Sequence, residues 1–407
     1  MRASTHRLVF CSAVALALLL PASLPATAAE TIKQAVKDGD VQVDLRYRFE
    51  RVEQDGFDKN AAASTARLRV GYRTGEYHGI YAGAALQALR VVGSERYNST
   101  ANGKTGFPVV ADPEDDELYE AVVGYTGLRR TDLKLGRQAI MLDNQRFVGG
   151  VDFRQLGQSF DAFSARSDIT LRFRLFYAHL QGAKRIFGTH HPVPLLAEFD
   201  LNSDLLNLSY KTKFGKLAGY GYFLEFRRTP LASHRNLGLR FSGQLPLSER
   251  FKLFYAGEYA DQSSYRDGSP NIEAEYYLAE PGLAFENHKF RVGHEVLGGD
   301  GVYAFQTPLG TNHKFNGWAD LFLRTPLDGL RDSYFRYDID LEGLSLIVVY
   351  HDFKSDRGDR NYGREWDWRL AKTFHKSYTV VLAFAEYDAS DFAVDTRRLW
   401  ATLQFKI

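Results

Sequence analysis

From Asp40 onward the chain alternates. Val41, Val43, Leu45, Tyr47 and Phe49 share one register, and Gln42, Asp44, Arg46, Arg48 and Glu50 share the other. Strand side chains point to opposite faces with period two, so the stretch predicts a strand with one apolar and one charged wall. One such strand fits any half-buried sheet; its recurrence decides between folds. Leu68 and Val70 alternate with Arg67 and Arg69, and Leu171, Phe173 and Leu175 with Arg172 and Arg174. Leu237, Leu239 and Phe241 oppose Asn236 and Arg240, and Trp366, Trp368 and Leu370 oppose Glu365, Asp367 and Arg369. Further apolar walls are predicted at Tyr119-Ala121-Val123-Tyr125, at Tyr220-Tyr222-Leu224-Phe226, and at Ile272-Ala274-Tyr276-Leu278 against Glu273 and Glu275. Leu399 to Ile407 closes the chain in the same alternation.

About 18 strands can be laid out in this way, and their connections alternate in length. Long polar segments near 51–62, 93–116, 142–155, 181–203 and 298–328 take turns with short ones near 126–131, 166–168 and 213–216. Short periplasmic turns and long outer loops are the asymmetry of outer-membrane barrels, and a soluble sandwich gives no reason for it. The pattern predicts an all-β chain: a transmembrane antiparallel up-and-down β-barrel of about 18 strands, forming a monomeric pore. The first strand should pair with Leu399–Ile407 to close it.

Composition sharpens this picture in two places. The mean hydropathy of −0.32 alone suggests a soluble protein. A barrel gives no hydropathy peak, however, because lumen residues alternate with lipid-facing ones. The N-terminus reads as a secretory signal: basic Arg2, His6 and Arg7, an apolar run from Leu8 to Leu20, then small residues up to Ala29. The expected domains are therefore a signal peptide over 1–29 and a single barrel over 30–407, located in a Gram-negative outer membrane. The lone cysteine, Cys11, falls in the signal, so no disulfide framework is expected. Loss of Arg2 and Arg7 leaves 49 basic and 50 acidic residues, so net charge names no partner.

The distribution of charge says more. A barrel of this size encloses water, and its predicted inward register holds Arg46, Arg48, Arg67, Arg69, Arg172, Arg174, Arg240 and Arg291. Asp44, Glu225, Glu273, Glu275, Glu365 and Asp367 are assigned to the same register. Two readings stand side by side. The charges form a lining that selects anions and grips their carboxylates, or they form a self-neutralising network that stiffens the wall.

Several segments resemble the alginate-export porin family. They are Leu135-Gly-Arg-Gln138, Leu142-Asp-Asn-Gln-Arg-Phe-Val-Gly149, Asp152-Phe-Arg-Gln155 and Gln158-Ser-Phe-Asp161. With them go Gly299-Asp-Gly301, Phe305-Gln-Thr-Pro-Leu309 and Phe315-Asn-Gly-Trp-Ala-Asp-Leu-Phe-Leu323. The resemblance implies an 18-stranded outer-membrane barrel whose Arg-rich constriction exports an anionic uronate polysaccharide such as alginate, with loops as gates and periplasmic export components as partners. It adds Arg137, Arg146 and Arg154 to the candidate pore lining, positioned by Asp143, Asn144 and Asp161. It makes Trp318 and Asp320 candidate anchors for a loop folding over or into the pore. The alternative expectation is an uptake porin for another small or anionic solute, or a barrel with a structural or enzymatic role.

Other chemistry finds little support. His190-His191 lacks the spacing of a metal site, and Asp112 to Glu117 lacks the glycine and alternate ligands of a calcium loop. No phosphate loop or nucleophile elbow is present. The expectation is a protein that is not an enzyme, uses no cofactor or metal, and binds no nucleic acid. Its expected partners are outer-membrane lipids and an anionic solute or polysaccharide.

Overall fold

A computed structural model of the chain describes residues 29–407. The expected signal peptide lies outside the described residues except for Ala29. The strands follow in chain order: β1 (Asp40–Gln54), β2 (Ala61–Arg73), β3 (Ile80–Arg96), β4 (Asp115–Tyr125), β5 (Thr131–Gln138) and β6 (Ser159–Asp168). Then come β7 (Phe173–Lys184), β8 (Glu198–Lys211), β9 (Lys216–Leu224), β10 (His234–Pro246), β11 (Phe251–Ser264) and β12 (Glu273–Phe285). The last six are β13 (His288–Leu297), β14 (Leu330–Leu341), β15 (Leu344–Lys354), β16 (Asn361–Phe374), β17 (Tyr378–Ala389) and β18 (Thr396–Lys406). Each pairs antiparallel with its neighbours in sequence, and β1 pairs with β18. Leu45 lies opposite Phe405 on one side and Leu68 on the other. The sheet thus has no free edge, which meets the rule that every backbone group in lipid must find a partner within the protein.

The connections separate the two ends. On one side β12–β13 and β14–β15 are joined by 286–287 and 342–343 alone. On the other, β3–β4, β5–β6, β7–β8 and β13–β14 are joined by 97–114, 139–158, 185–197 and 298–329. The short-turn end is the periplasmic one. Among the described residues no helix is long and apolar enough to cross a membrane; the strands do the crossing.

The outer wall is apolar and exposed. Leu68, Leu239, Leu382 and Leu403 stand 43–54% exposed with no protein to cover them. Towards the short turns, aromatic pairs ring the wall: Phe241–Tyr255, Phe251–Phe285, Phe290–Tyr337 and Tyr378–Phe405, with ring centroids 4.9–5.7 Å apart. An apolar band closed by an aromatic girdle is the surface of a barrel seated in lipid.

The interior is not an empty tube. The 139–158 and 298–329 connections fold inward and build an apolar core against the wall. Phe147 meets Tyr220, Tyr222, Tyr276 and Phe305 with centroids 5.1–6.0 Å apart. Phe322 stacks among Phe353, Tyr362 and Phe392. This packing reverses three register assignments. Tyr220, Tyr222 and Leu224 of β9 and Ala274, Tyr276 and Leu278 of β12 face inward, because the inserted loops give the lumen an apolar face there. Glu273 and Glu275 accordingly point outward, with Tyr277 exposed beside them. In β4 a one-residue bulge at Tyr119 shifts the alternation, so Tyr119 turns inward while Val123 faces lipid. Glu225 lies past the end of β9, in the 225–233 connection.

Candidate functional site

The two inserted loops are bonded to each other before they touch the wall. Gly149 N–H donates to the Leu309 carbonyl at 2.9 Å, and Thr311 N–H to the Gln145 carbonyl at 2.9 Å. The Gln158 side chain donates to both Gly149 and Leu309 carbonyls at 2.9 Å. Lys314 donates to the Asn144 carbonyl at 3.1 Å. Two irregular segments far apart in sequence thus form one plug across the lumen.

Three groups of charges hold that plug. At the β1–β18 seam, Glu50 is fully buried and accepts from Arg154 at 3.1 Å and Arg398 at 3.0 Å. Arg154 also reaches Asp320 at 2.7 Å, and Asp320 takes His313 at 2.7 Å. Beside them Arg46 donates to the carbonyls of Asp152 and Arg154 at 2.9 and 3.3 Å. Arg67 pairs with Asp44 at 2.6 Å and donates to the Gln155 carbonyl at 3.3 Å. Arg48 covers the Phe153 ring at 4.5 Å, and Arg69 covers Tyr119 at 3.6 Å.

Across the lumen, Arg146 pairs with Glu295 at 3.1 Å and donates to Asn316 at 2.7 Å. Asn316 in turn donates to Glu295 and Asp332. The third group lies on β16. The Ala319 N–H donates to Glu365 at 2.7 Å, and the Trp318 N–H to Asp367 at 3.2 Å. Gly317 sits between with φ +83°, and a Cβ there would lie 2.3 Å from Glu365. Only glycine brings the backbone this close to the carboxylate.

Burial alone would raise the Asp320 carboxyl, but His313, Arg154 and Arg398 together hold it below the usual carboxylate range. A depressed carboxylate contributes stability above its unfolded value, and loses it only as pH falls through the lower folded one. Acidification from neutrality to about pH 4, the ordinary aspartate range, should therefore leave the Asp320 contacts in place. Asp320→Asn should weaken them at every pH. Proteolysis of the 298–329 connection in the assembled barrel, measured across that pH range, reports both outcomes. Cleavage of the parent chain that rises between neutrality and pH 4 would contradict the assignment.

Towards the periplasm the lumen opens into cavities, the largest of them predominantly basic. One of about 900 Å³ lies along β5 to β9. Its lining includes Arg130, Lys134, Arg166, Arg172, Arg174, Lys211 and Lys216, against the acids Asp132, Asp143 and Asp168. Asp143 is itself paired with Lys216 at 2.6 Å, and Arg174 with Asp168 at 2.5 Å. A smaller cavity of about 190 Å³ lies under the plug, lined by Lys314, Arg240, Arg291 and Arg336 and by the acids Glu280, Glu295 and Asp332. Arg240 is neutralised by Glu258 at 2.5 Å, whereas Arg291 and Arg336 share Asp338 at 2.8 and 2.7 Å, with Glu280 3.8 Å from Arg291. Lys314 has no ion-pair partner among the described residues. Burial first, then Arg336, Arg240 and Arg291, outweigh the opposing Glu280 and push its ammonium below the usual lysine range. A positive charge held at such cost favours an anion beside it.

The structure therefore gathers most of the residues expected from the sequence, but into different places. Arg46, Arg48 and Arg154 converge on the seam with Asp320; Arg67 stands beside it on Asp44 and Gln155, and Arg69 lies further along the wall on Gln87 and Tyr119. Arg146 and Asn144 lie within the plug, Trp318 at its contact with β16, Arg240 beneath it, and Arg172, Arg174 and Asp143 in the larger cavity. Arg137 and Asp161 lie elsewhere. They pair at 2.7 Å in the register of Leu135 and Phe163, which are exposed to lipid, so they stand on the outer wall. Gln138 and Ser164, one register over, line the lumen. Lys134, Lys314 and Arg336 were not anticipated. Arg336 alternates with the outward Phe335 and Tyr337 and was recoverable from that pattern; Lys314 lies in an irregular segment where no period operates.

No family model matches the chain, and no curated protein matches it. Solved structures do. OccAB4 of Acinetobacter baumannii superposes with a TM-score of 0.73 at 16% identity, over 91% of this chain and 98% of that one. OccK2 (OpdF) of Pseudomonas aeruginosa, in complex with glucuronate, gives 0.69 at 15% identity over 92% and 98%. OpdK of Pseudomonas aeruginosa with vanillate gives 0.69 at 14% identity over 90% and 98%. The architecture is that of Gram-negative outer-membrane porins. These likenesses correct the alginate-export reading of the sequence motifs: the barrels that this chain resembles are Occ and Opd proteins, and the short motifs that suggested an exporter are segments of the plug and its strands.

Proposed function

We propose that the protein is a passive outer-membrane channel, not an enzyme, that admits small anionic solutes, carboxylates above all, to the periplasm. The observation that carries this reading is the excess of cations on the periplasmic side of the plug. Seven basic side chains face three acidic ones in the larger cavity, and Lys314, without an ion-pair partner among the described residues, lines the smaller one under the plug. A basic lining raises the local concentration of anions and lowers the barrier to their passage. The glucuronate and vanillate bound by two barrels of this fold are both small carboxylates, which supports the class of solute. A lumen narrowed by two packed loops also suits a small solute better than a polymer.

A second reading is favoured by particular pairs. Arg67–Asp44 and Arg240–Glu258 are already neutral, and on this reading they stiffen the wall and attract nothing. Reversal potentials in planar bilayers under a salt gradient separate the two. The channel should prefer chloride to potassium. Lys314→Ala, and a triple Lys134→Ala, Arg166→Ala, Lys211→Ala variant, should each reduce that preference several-fold while the barrel still assembles. In vesicle swelling, glucuronate should enter faster than a neutral hexose of the same size. An unaltered permeability ratio in both variants would leave the stiffening role alone standing.

A further inference from the structure

One ordered element lies outside the lumen. Between Ala29 and β1 the chain forms a single helical stretch, α1 (Ile32–Lys37), capped by the Thr31 hydroxyl, which accepts from Gln34 N–H at 3.1 Å. It crosses the 74–79 turn between β2 and β3. Ala29 N–H donates to the Glu76 carbonyl and Gly75 N–H to the Ala35 carbonyl, both at 2.8 Å, and Ala35 is buried against the turn. The Tyr72 hydroxyl donates to the Val36 carbonyl. Tyr72 lies opposite Val41 and in the register of Leu68 and Val70, so it belongs to the lipid-facing wall at its periplasmic end. That is the level of the aromatic girdle. The helix therefore hangs on the outer side of the rim, not under the pore.

Its free face is apolar. Ile32 and Val36, one helical turn apart, are 67% and 52% exposed. Val36 is held by Tyr72, which pairs with the exposed Val41 of β1, and Ile80 at the foot of β3 is exposed too, so α1 continues the periplasmic end of the lipid-facing wall. Lys33 and Lys37 occupy the neighbouring face. A helix of six residues does not hold its shape in water and takes it from the surfaces it touches. Its packed side is the turn; the other side is continuous with a surface already assigned to lipid.

We propose that α1 is an interfacial anchor: Ile32 and Val36 enter the acyl boundary of the periplasmic leaflet, and Lys33 and Lys37 meet the phosphates of anionic phospholipid headgroups. Apolar side chains on one face and lysines beside them are the arrangement of helices that lie in a membrane interface. The consequence is a fixed N-terminal strand. α1 ties β1, and with it the β1–β18 seam, to one depth in the bilayer.

The test uses the full mature barrel, which is free of cysteine because the one cysteine of the sequence, Cys11, belongs to the expected signal segment. Single Ile32→Cys, Val36→Cys and Gln34→Cys variants carry a nitroxide and are reconstituted into vesicles of phosphatidylethanolamine and phosphatidylglycerol. Collisions with oxygen should be frequent, and collisions with a water-soluble nickel chelate several-fold rarer, at positions 32 and 36 relative to position 34. Equal exposure to the chelate at all three positions would overturn the anchor. Replacing phosphatidylglycerol by phosphatidylcholine, or Lys33 and Lys37 by glutamine, should reduce that protection. If protection is unchanged in both cases, the lysines do not meet anionic phosphate and that half of the proposal fails.

Discussion

Glu50→Gln should turn a narrow, quiet channel into a wide and noisy one. Glu50 has no exposed surface and is the shared partner of Arg154, from the 139–158 loop, and Arg398, from β18. An amide there takes the carboxylate from Arg398 and leaves Arg154 with Asp320 alone. Removing one partner of a buried ion pair typically costs about 3–5 kcal/mol, because the charge left behind has lost its solvation and gained nothing. The backbone ladder of the barrel does not depend on Glu50, so the strain is relieved where the structure is least regular. The 139–158 loop should leave the seam, carrying Asp320 and the 298–329 loop with it. Single-channel recording should show higher conductance and rapid current fluctuation, while the folded barrel keeps its heat-dependent gel mobility. A folded Glu50→Gln channel with the parent's conductance and noise would mean that the seam charges do not hold the plug.

The second large effect lies one register over on β1. Leu45→Arg should block assembly, and Arg46→Gln should not. Leu45 is 46% exposed on the outer wall between Leu68 and Phe405. An arginine on the lipid face costs about 2–4 kcal/mol near the bilayer midplane, a large part of the stability of an ordinary fold. Arg46 points the other way, and its hydrogen bonds run to carbonyls of the plug. Folding yield into lipid vesicles, read from the gel shift of the folded form, should collapse for the first variant and stay near the parent value for the second. Equal yields for both would mean that the register of β1 is assigned the wrong way round.

Much of the barrel could be read from the chain because strands obey a period. Leu45, Leu68, Leu239 and Leu403 announce a lipid face by simple alternation, and the loops and turns announce which end is which. Alternation distinguishes apolar from polar faces, but it says nothing about which one is inside. In most strands the lumen is polar and the inference is safe. In β9 and β12 it fails: Tyr220, Tyr222 and Tyr276 pack on Phe147, and Phe147 comes from a loop with no period at all. Tyr119 fails for a different reason, since a single extra residue reverses every facing beyond it. The candidate site was legible to the same extent. Arg46, Arg48, Arg67 and Arg69 follow from the strand they stand on. Arg137 and Asp161 rest on the motif resemblance alone, and their own alternation with Gln138 and Ser164 places them outside. Lys314 faces arginines drawn from β10, β13 and β14, and no local pattern encodes that.

The bonds between the two inserted loops have a consequence for how such a channel can diversify. Gly149 with Leu309, Thr311 with Gln145, and Gln158 with both segments make each loop the template for the other. A substitution in one is judged by its fit to the other, although more than a hundred residues separate them in the chain. Surface loops of a barrel are ordinarily free to lengthen, shorten or be exchanged one at a time. Here the unit of exchange is the pair: a new solute preference has to be inherited as two matched segments, and one loop grafted alone would arrive without its complement.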